Sequence, residues 1–220
     1  MKLKTVQLTT NDLDGTLEFY RDRLGLAVLE RKDETVKFRV GKTLLQFEMT
    51  PKQDPVYHFA FEIPHNQAEE AFSWISKRAE VIPVQPGAPF AEFTSWDARS
   101  FYFYDNNGNI LECIARFEQP THSDKPFNGD SLLYLSEIGL VTTDVARLYK
   151  DIHKTSGIPL FSKQRPFKNF CAAGEESGLL IIVETGKNWY PTEVAARSFK
   201  SRVSFEFDGQ ETVLNTMDEV

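Results

Sequence analysis

VYHFAFEIP, residues 56–64, is the stretch on which the reading of the fold turns. Phe59 and Phe61 point one way along it, and His58, Ala60 and Glu62 the other. That period of two is the mark of a strand with one buried face. A polar turn follows, and Gln67 to Ala79 then places Ala68, Ala71, Phe72, Ile75 and Ala79 on one side of a helix. The same order occurs upstream. LKTVQLTT (3–10) alternates as a strand, Asn11 and Asp12 offer capping oxygens, and Leu13, Leu17, Tyr20 and Leu24 fall at helical spacing before Gly25. Strands are expected at 26–30, 35–40 and 43–49 after the first helix, and at 80–84, 99–104 and 110–116 after the second. Asp105-Asn106-Asn107-Gly108-Asn109 supplies a tight hairpin between the last two. Two copies of a β-α-β-β-β unit thus fill residues 1–117.

Residues 118–130, EQPTHSDKPFNGD, are polar, carry Pro and Gly, and read as a linker. Beyond them the order restarts, with a strand at 132–141, a helix at 144–156 closed by Gly157, and strands near 158–161, 168–173 and 178–184. SRVSFEFDG (201–209) repeats the pattern of the 56–64 strand and should open a fourth unit, followed by a short helix within 210–220. Residues 131–220 therefore read as a third module plus a truncated fourth. The fold class is α+β, built of repeated βαβββ modules.

Bulk properties narrow the function. With 220 residues, 41% of them hydrophobic and 18 of them Phe, the chain can bury a large core. A formal net charge of -7 repels phosphate backbones, so nucleic acid is not an expected partner. The sequence holds no apolar run of membrane-spanning length, and Cys113 and Cys171 lie far apart without a CxxC pair. A cytoplasmic protein without disulfides is the expectation.

Strand parity sorts the side chains into two faces. Val6, Leu8, Phe47, Phe59, Phe61, Phe101, Phe103 and Leu111 form an apolar set suited to lie under helices. Thr5, Gln7, Thr9, Gln46, Glu48, His58, Glu62, Ser100, Tyr102, Tyr104 and Glu112 form the other. The second set is either a solvated face or the lining of a concave site. Its mixture of His, carboxylate and Tyr, and its shortage of Lys and Arg, favour the site.

NDLDGTLEFYRDRLGL (11–26), HFAFEIP (58–64) and FYFYDNNGNILECI (101–114) resemble, in order and spacing, the vicinal-oxygen-chelate superfamily of glyoxalases, bleomycin-resistance proteins and extradiol dioxygenases. SEIGLVTTDVARLYKDIHKTSGIPLF (136–161) resembles it too, and 198–220 only as a strand and a helix start. The resemblance implies mixed sheets that curl into cups with helices outside, and a small-molecule ligand within. It also implies a divalent metal, held here by His58 and Glu112, with Thr5 in the place of a first-strand histidine. Gln46 stands at an optional carboxylate position, and Glu48 two residues on shares its face. By the same mapping Glu137 and Arg202 hold the first-strand positions of the second half. Glu137 reads as a hydrogen-bonded strand carboxylate or as a ligand recruited from the third module, and Arg202 as a surface residue or a substrate clamp.

Tyr102 matches a tyrosine that contacts catechol hydroxyls in extradiol enzymes, but residues 1–57 contain no histidine to act as their acid–base group. The expected function is a divergent metal-dependent lyase or dioxygenase-like enzyme acting on a small oxygen-bearing molecule. Tyr102 would be its catalytic residue, and Thr5, Gln7, Gln46 and Glu48 would line the cavity. Fe, Mn, Ni or Zn would bind weakly or not at all. The alternative is a metal-free, bleomycin-resistance-like binder or an interaction protein. A homodimer is expected from the unfinished fourth module.

Overall fold

The computed structural model describes residues 1–217. The first module comprises β1 (Lys2–Thr10), α1 (Leu13–Glu18, extended by a π-helical turn Phe19–Arg23), β2 (Ala27–Lys32), β3 (Thr35–Val40) and β4 (Thr43–Met49). The second comprises β5 (His58–Glu62), α2 (Ala68–Ile75), β6 (Val81–Ile82), β7 (Ala91–Phe93), β8 (Ala98–Tyr104) and β9 (Ile110–Arg116). The third comprises β10 (Tyr134–Thr142), α3 (Val145–Ser156), β11 (Phe170–Glu175) and β12 (Gly178–Glu184). β13 (Ser201–Phe207) and β14 (Gln210–Thr216) complete the described elements.

Local chemistry sets the helix ends. The Asp12 carboxylate accepts from the Gly15 N–H at 2.9 Å and opens α1, and Asp144 accepts from the Arg147 N–H at 3.0 Å and opens α3. Gly157, at φ 74°, closes α3 in the left-handed region. The expected helix within 210–220 is not present in the described residues. Residues 210–216 form β14 instead, and residues 218–220 lie outside the described part. Asp208 and Gly209, both at positive φ, make a two-residue turn that folds β14 back on β13. The expected strand at 158–161 is reduced to a single bridge between Leu160 and Ala173.

Two sheets result, ordered β14-β13-β1-β4-β3-β2 and β11-β12-β10-β5-β9-β8-β6. Each is mixed, and each joins two modules through an antiparallel contact of their first strands. β1 meets β13 with Gln7 opposite Arg202, and β5 meets β10 with Ala60 opposite Glu137. The second module therefore shares its sheet with the third, and the first with the fourth. Val6, Leu8, Phe47, Phe59, Phe61, Phe101 and Phe103 are buried in one core that both sheets share with the helices. Phe72 of α2 meets Phe101 edge to face, ring centroids 5.5 Å apart. The opposite face of the second sheet is concave and carries His58, Tyr102 and Glu112, as strand parity requires.

Candidate metal centre

His58, Glu112 and Glu137 converge on the floor of this concave face. The first residue of β5, the third of β9 and the fourth of β10 bring them together, with candidate ligand atoms all within 4.8 Å of one another. All three are buried. The backbone carbonyl of Ile110 lies 3.0 Å from His58 Nδ1 and accepts its proton, which leaves Nε2 as a lone-pair donor facing Glu112 Oε2 at 3.6 Å. Burial lowers the imidazole pKa to about 4, so the ring is neutral near pH 7. That is the protonation state a metal ligand needs.

Burial is the main influence on the carboxylates of the floor. Burial, reinforced by the neighbouring Glu137, pushes Glu112 up to about 8. Burial pushes Glu62 up to about 7 against the pull of Arg116, and Glu137 is also raised by burial. Arg116, fully buried, donates to both Glu62 and Glu137. Three carboxylates around one guanidinium leave two formal negative charges when all are ionised, which a divalent cation would balance. The donor set of one neutral imidazole and two carboxylates suits such an ion. The residues present fit a divalent metal.

The structure separates the residues expected to line the cavity from this floor. Thr5, Gln7, Gln46 and Glu48 lie on the first sheet, where Gln7 Nε2 donates to Glu48 Oε2 at 3.1 Å. Gln7 and Glu48 line a different concavity of about 250 Å³ together with Arg202 and Lys200. Of the third ligands that the sequence offers, Glu48, Gln46 and Glu137, it is Glu137 that lies beside His58 and Glu112, while Thr5, Gln46 and Glu48 lie on the other sheet. The reason is sheet pairing: the strand that docks against β5 is β10, and it brings Glu137. Tyr102 stands directly across from Glu112 in the β8–β9 ladder and lines the same cavity.

Two participants were not singled out from the sequence. Arg116 follows Glu112 by four residues on one strand, so parity places them on one face, and that signal was available. Ile181 is the second. β5 pairs Ala60 with Glu112, and β10 pairs Gly139 with Ile181 in the same parallel geometry, with Ala60 and Gly139 each two residues beyond a donor. Ile181 therefore occupies, in the third module, the place that Glu112 has in the second. An apolar side chain stands where a fourth donor would complete the symmetry.

Paired βαβββ modules with a buried imidazole–carboxylate cluster in a sheet-lined cup define a glyoxalase-like class of protein. The family model described as the Glyoxalase/Bleomycin resistance protein/Dioxygenase superfamily matches residues 2–113, and the chain belongs to that superfamily. The metallothiol transferase FosB of Staphylococcus haemolyticus is 26% identical over 113 residues, which are 49% of this chain and 78% of that protein. Glyoxalase I from Zea mays superposes with a TM-score of 0.54 at 18% identity, over 89% of this chain and 70% of its own. A point mutant of the same maize enzyme gives 0.55 at 16% identity, over 97% of this chain and 93% of its own. These structural likenesses extend the shared fold beyond the residues that the family model matches.

Proposed function

We propose that this protein is a divalent-metal-dependent enzyme of the superfamily, of lyase or dioxygenase-like type, acting on a small molecule that presents adjacent oxygens to the floor of the cup. The observation that carries the reading is the convergence of His58, Glu112 and Glu137 within 4.8 Å at the base of a cavity of about 490 Å³, a volume suited to a small ligand. When bound, the cation would polarise the substrate oxygens as a Lewis acid.

The chain's own groups divide the remaining work. His58 offers Nε2 while the Ile110 carbonyl fixes its tautomer and orientation. Glu112, raised to about 8 by burial, holds a proton near pH 7 that it would give up to serve as a ligand beside Glu137. Burial beside Glu112 raises the Tyr102 phenol, so Tyr102 serves as a hydrogen-bond donor to a substrate oxygen rather than as a base. Trp96 and Trp189, both buried in the cavity wall, exclude water from the floor.

Elemental analysis of protein purified without a His tag, beside His58→Ala, tests the reading. A divalent metal retained by the parent and lost in the variant supports it. Equal content in both overturns it in favour of a metal-free binding cup, the reading that the Glu137–Arg116 pairing favours by occupying one donor. A homodimer in the cytoplasm belongs to the same proposal. The two buried, unpaired cysteines support that compartment, and light scattering tests the dimer.

A further inference from the structure

The upper walls of the cavity differ from its floor. Phe93, Trp96, Phe170, Trp189 and Tyr190 line it, and Phe93 bridges the rings of Trp96 and Tyr190. Trp189 lies 5.3 Å from the His58 ring, Tyr190 5.6 Å from Tyr102, and Phe93 6.3 Å from Tyr190 and 5.7 Å from Trp96. An aromatic surface thus runs from the donor cluster to the mouth, where Tyr190 is 52% exposed.

Charge is scarce along that path. Lys187 is the one Lys or Arg among the described residues lining the cavity, and Glu193 offsets it nearby. A phosphonate, or a peptide thiol with several carboxylates, would enter without the arginine clamps that such groups require.

Trp189 is held in the wall by close packing. Its benzo edge sits over Gly139, where an added Cβ would come within 2.5 Å of Cη2. Its indole N–H is buried and has no hydrogen-bond partner among the described residues, whereas the Trp96 N–H is satisfied by Gln164 at 3.2 Å.

We infer that the outer half of this cavity is a subsite for an uncharged planar ring, so that the substrate is a small flat molecule whose ring packs against Phe93, Trp189 and Tyr190 while its oxygens reach the floor. The inference rests on the metal-centre reading for the position of those oxygens. The ring subsite itself stands on the walls.

The test compares ligands that share one chelating head on the cobalt(II)-loaded protein. Acetohydroxamate, benzohydroxamate and phosphonoacetohydroxamate are titrated by the visible cobalt spectrum. Benzohydroxamate should bind at least about tenfold tighter than the other two, a difference of about 1.4 kcal/mol. Phe93→Ala should erase most of that advantage and leave acetohydroxamate unchanged. Equal affinities, or preference for the phosphonate, would overturn the ring subsite with the metal centre intact. If cobalt does not bind, the metal centre falls, and the ring is judged on metal-free protein with benzamide. A saturable shift of the Trp189 indole N–H resonance that weakens in Phe93→Ala supports the subsite, and no shift overturns it.

Discussion

Ile181 sets the ceiling on metal affinity. It fills the place that Glu112 has in the facing module and contributes no donor. Ile181→Glu should therefore tighten divalent binding by on the order of tenfold, about 1.4 kcal/mol, read by calorimetry with Mn(II) or Ni(II). Thr5→His should leave it unchanged, because Thr5 lies on the other sheet. A gain from Thr5→His with none from Ile181→Glu would refute the assignment of donors. The protonation of the floor gives a second expectation at this scale. Glu112 is raised to about 8 and His58 lowered to about 4, so near pH 7 the proton to be displaced sits on Glu112. Affinity should rise with pH up to about 8 and then level, with proton uptake by the buffer on binding at pH 7. Calorimetry in two buffers of different ionisation enthalpy measures that proton, and a pH-independent affinity from about 6 to about 8 would argue against Glu112 as a ligand.

At the scale of elements, the strands hold their register because one face is phenylalanine. Phe61 is fully buried and stacks near Phe103, ring centroids 6.4 Å apart, so Phe61→Ala should cost about 3–5 kcal/mol in denaturant unfolding. A loss below about 1 kcal/mol would mean that the core closes over the gap. The period of two that puts Phe59 and Phe61 beneath the helices also puts His58 and Glu112 in the cup, and this much was legible in residues 56–64 and 101–114. The partner of each module was not. The first strands of all four modules carry the same alternation, so local pattern offers no preference between docking β5 on β1 and docking it on β10. That choice depends on contacts distant in sequence, and it decides whether Glu137 or Thr5 faces His58. Asp208-Gly209 was a readable hairpin signal. The residues after it were expected to form a helix because the other modules continue that way, whereas the turn returns the chain to pair with β13.

At the scale of the whole molecule, strands distant in sequence pair within the first sheet. β1 lies between β4 and β13, and the Tyr57 hydroxyl, at the entry to the second sheet, donates to the Lys200 carbonyl at 2.7 Å and lies 2.7 Å from Thr9 Oγ1. Tyr20 of the first module also donates to Asp105 of the second at 2.7 Å, and both groups are buried. One apolar core crosses the interval between the sheets. Neither half of the chain can unfold without exposing that core, so thermal unfolding should be a single transition whose calorimetric and van't Hoff enthalpies agree. Two separated transitions would show that the sheets are independent units. The floor of the cup lies between β5 and β9 of the second module and β10 of the third, so a bound cation ties two modules of one sheet together. At a hundredfold excess over its dissociation constant, a divalent ion should add about 2.7 kcal/mol to the folded state. For a chain of 220 residues that corresponds to a rise in Tm of roughly 5–10 °C. The rise should vanish in His58→Ala and persist in Glu48→Gln, since Glu48 lies in the other cup. A rise of equal size in both variants would place the stabilising ion elsewhere on the acidic surface and remove the thermodynamic support for a metal centre at His58.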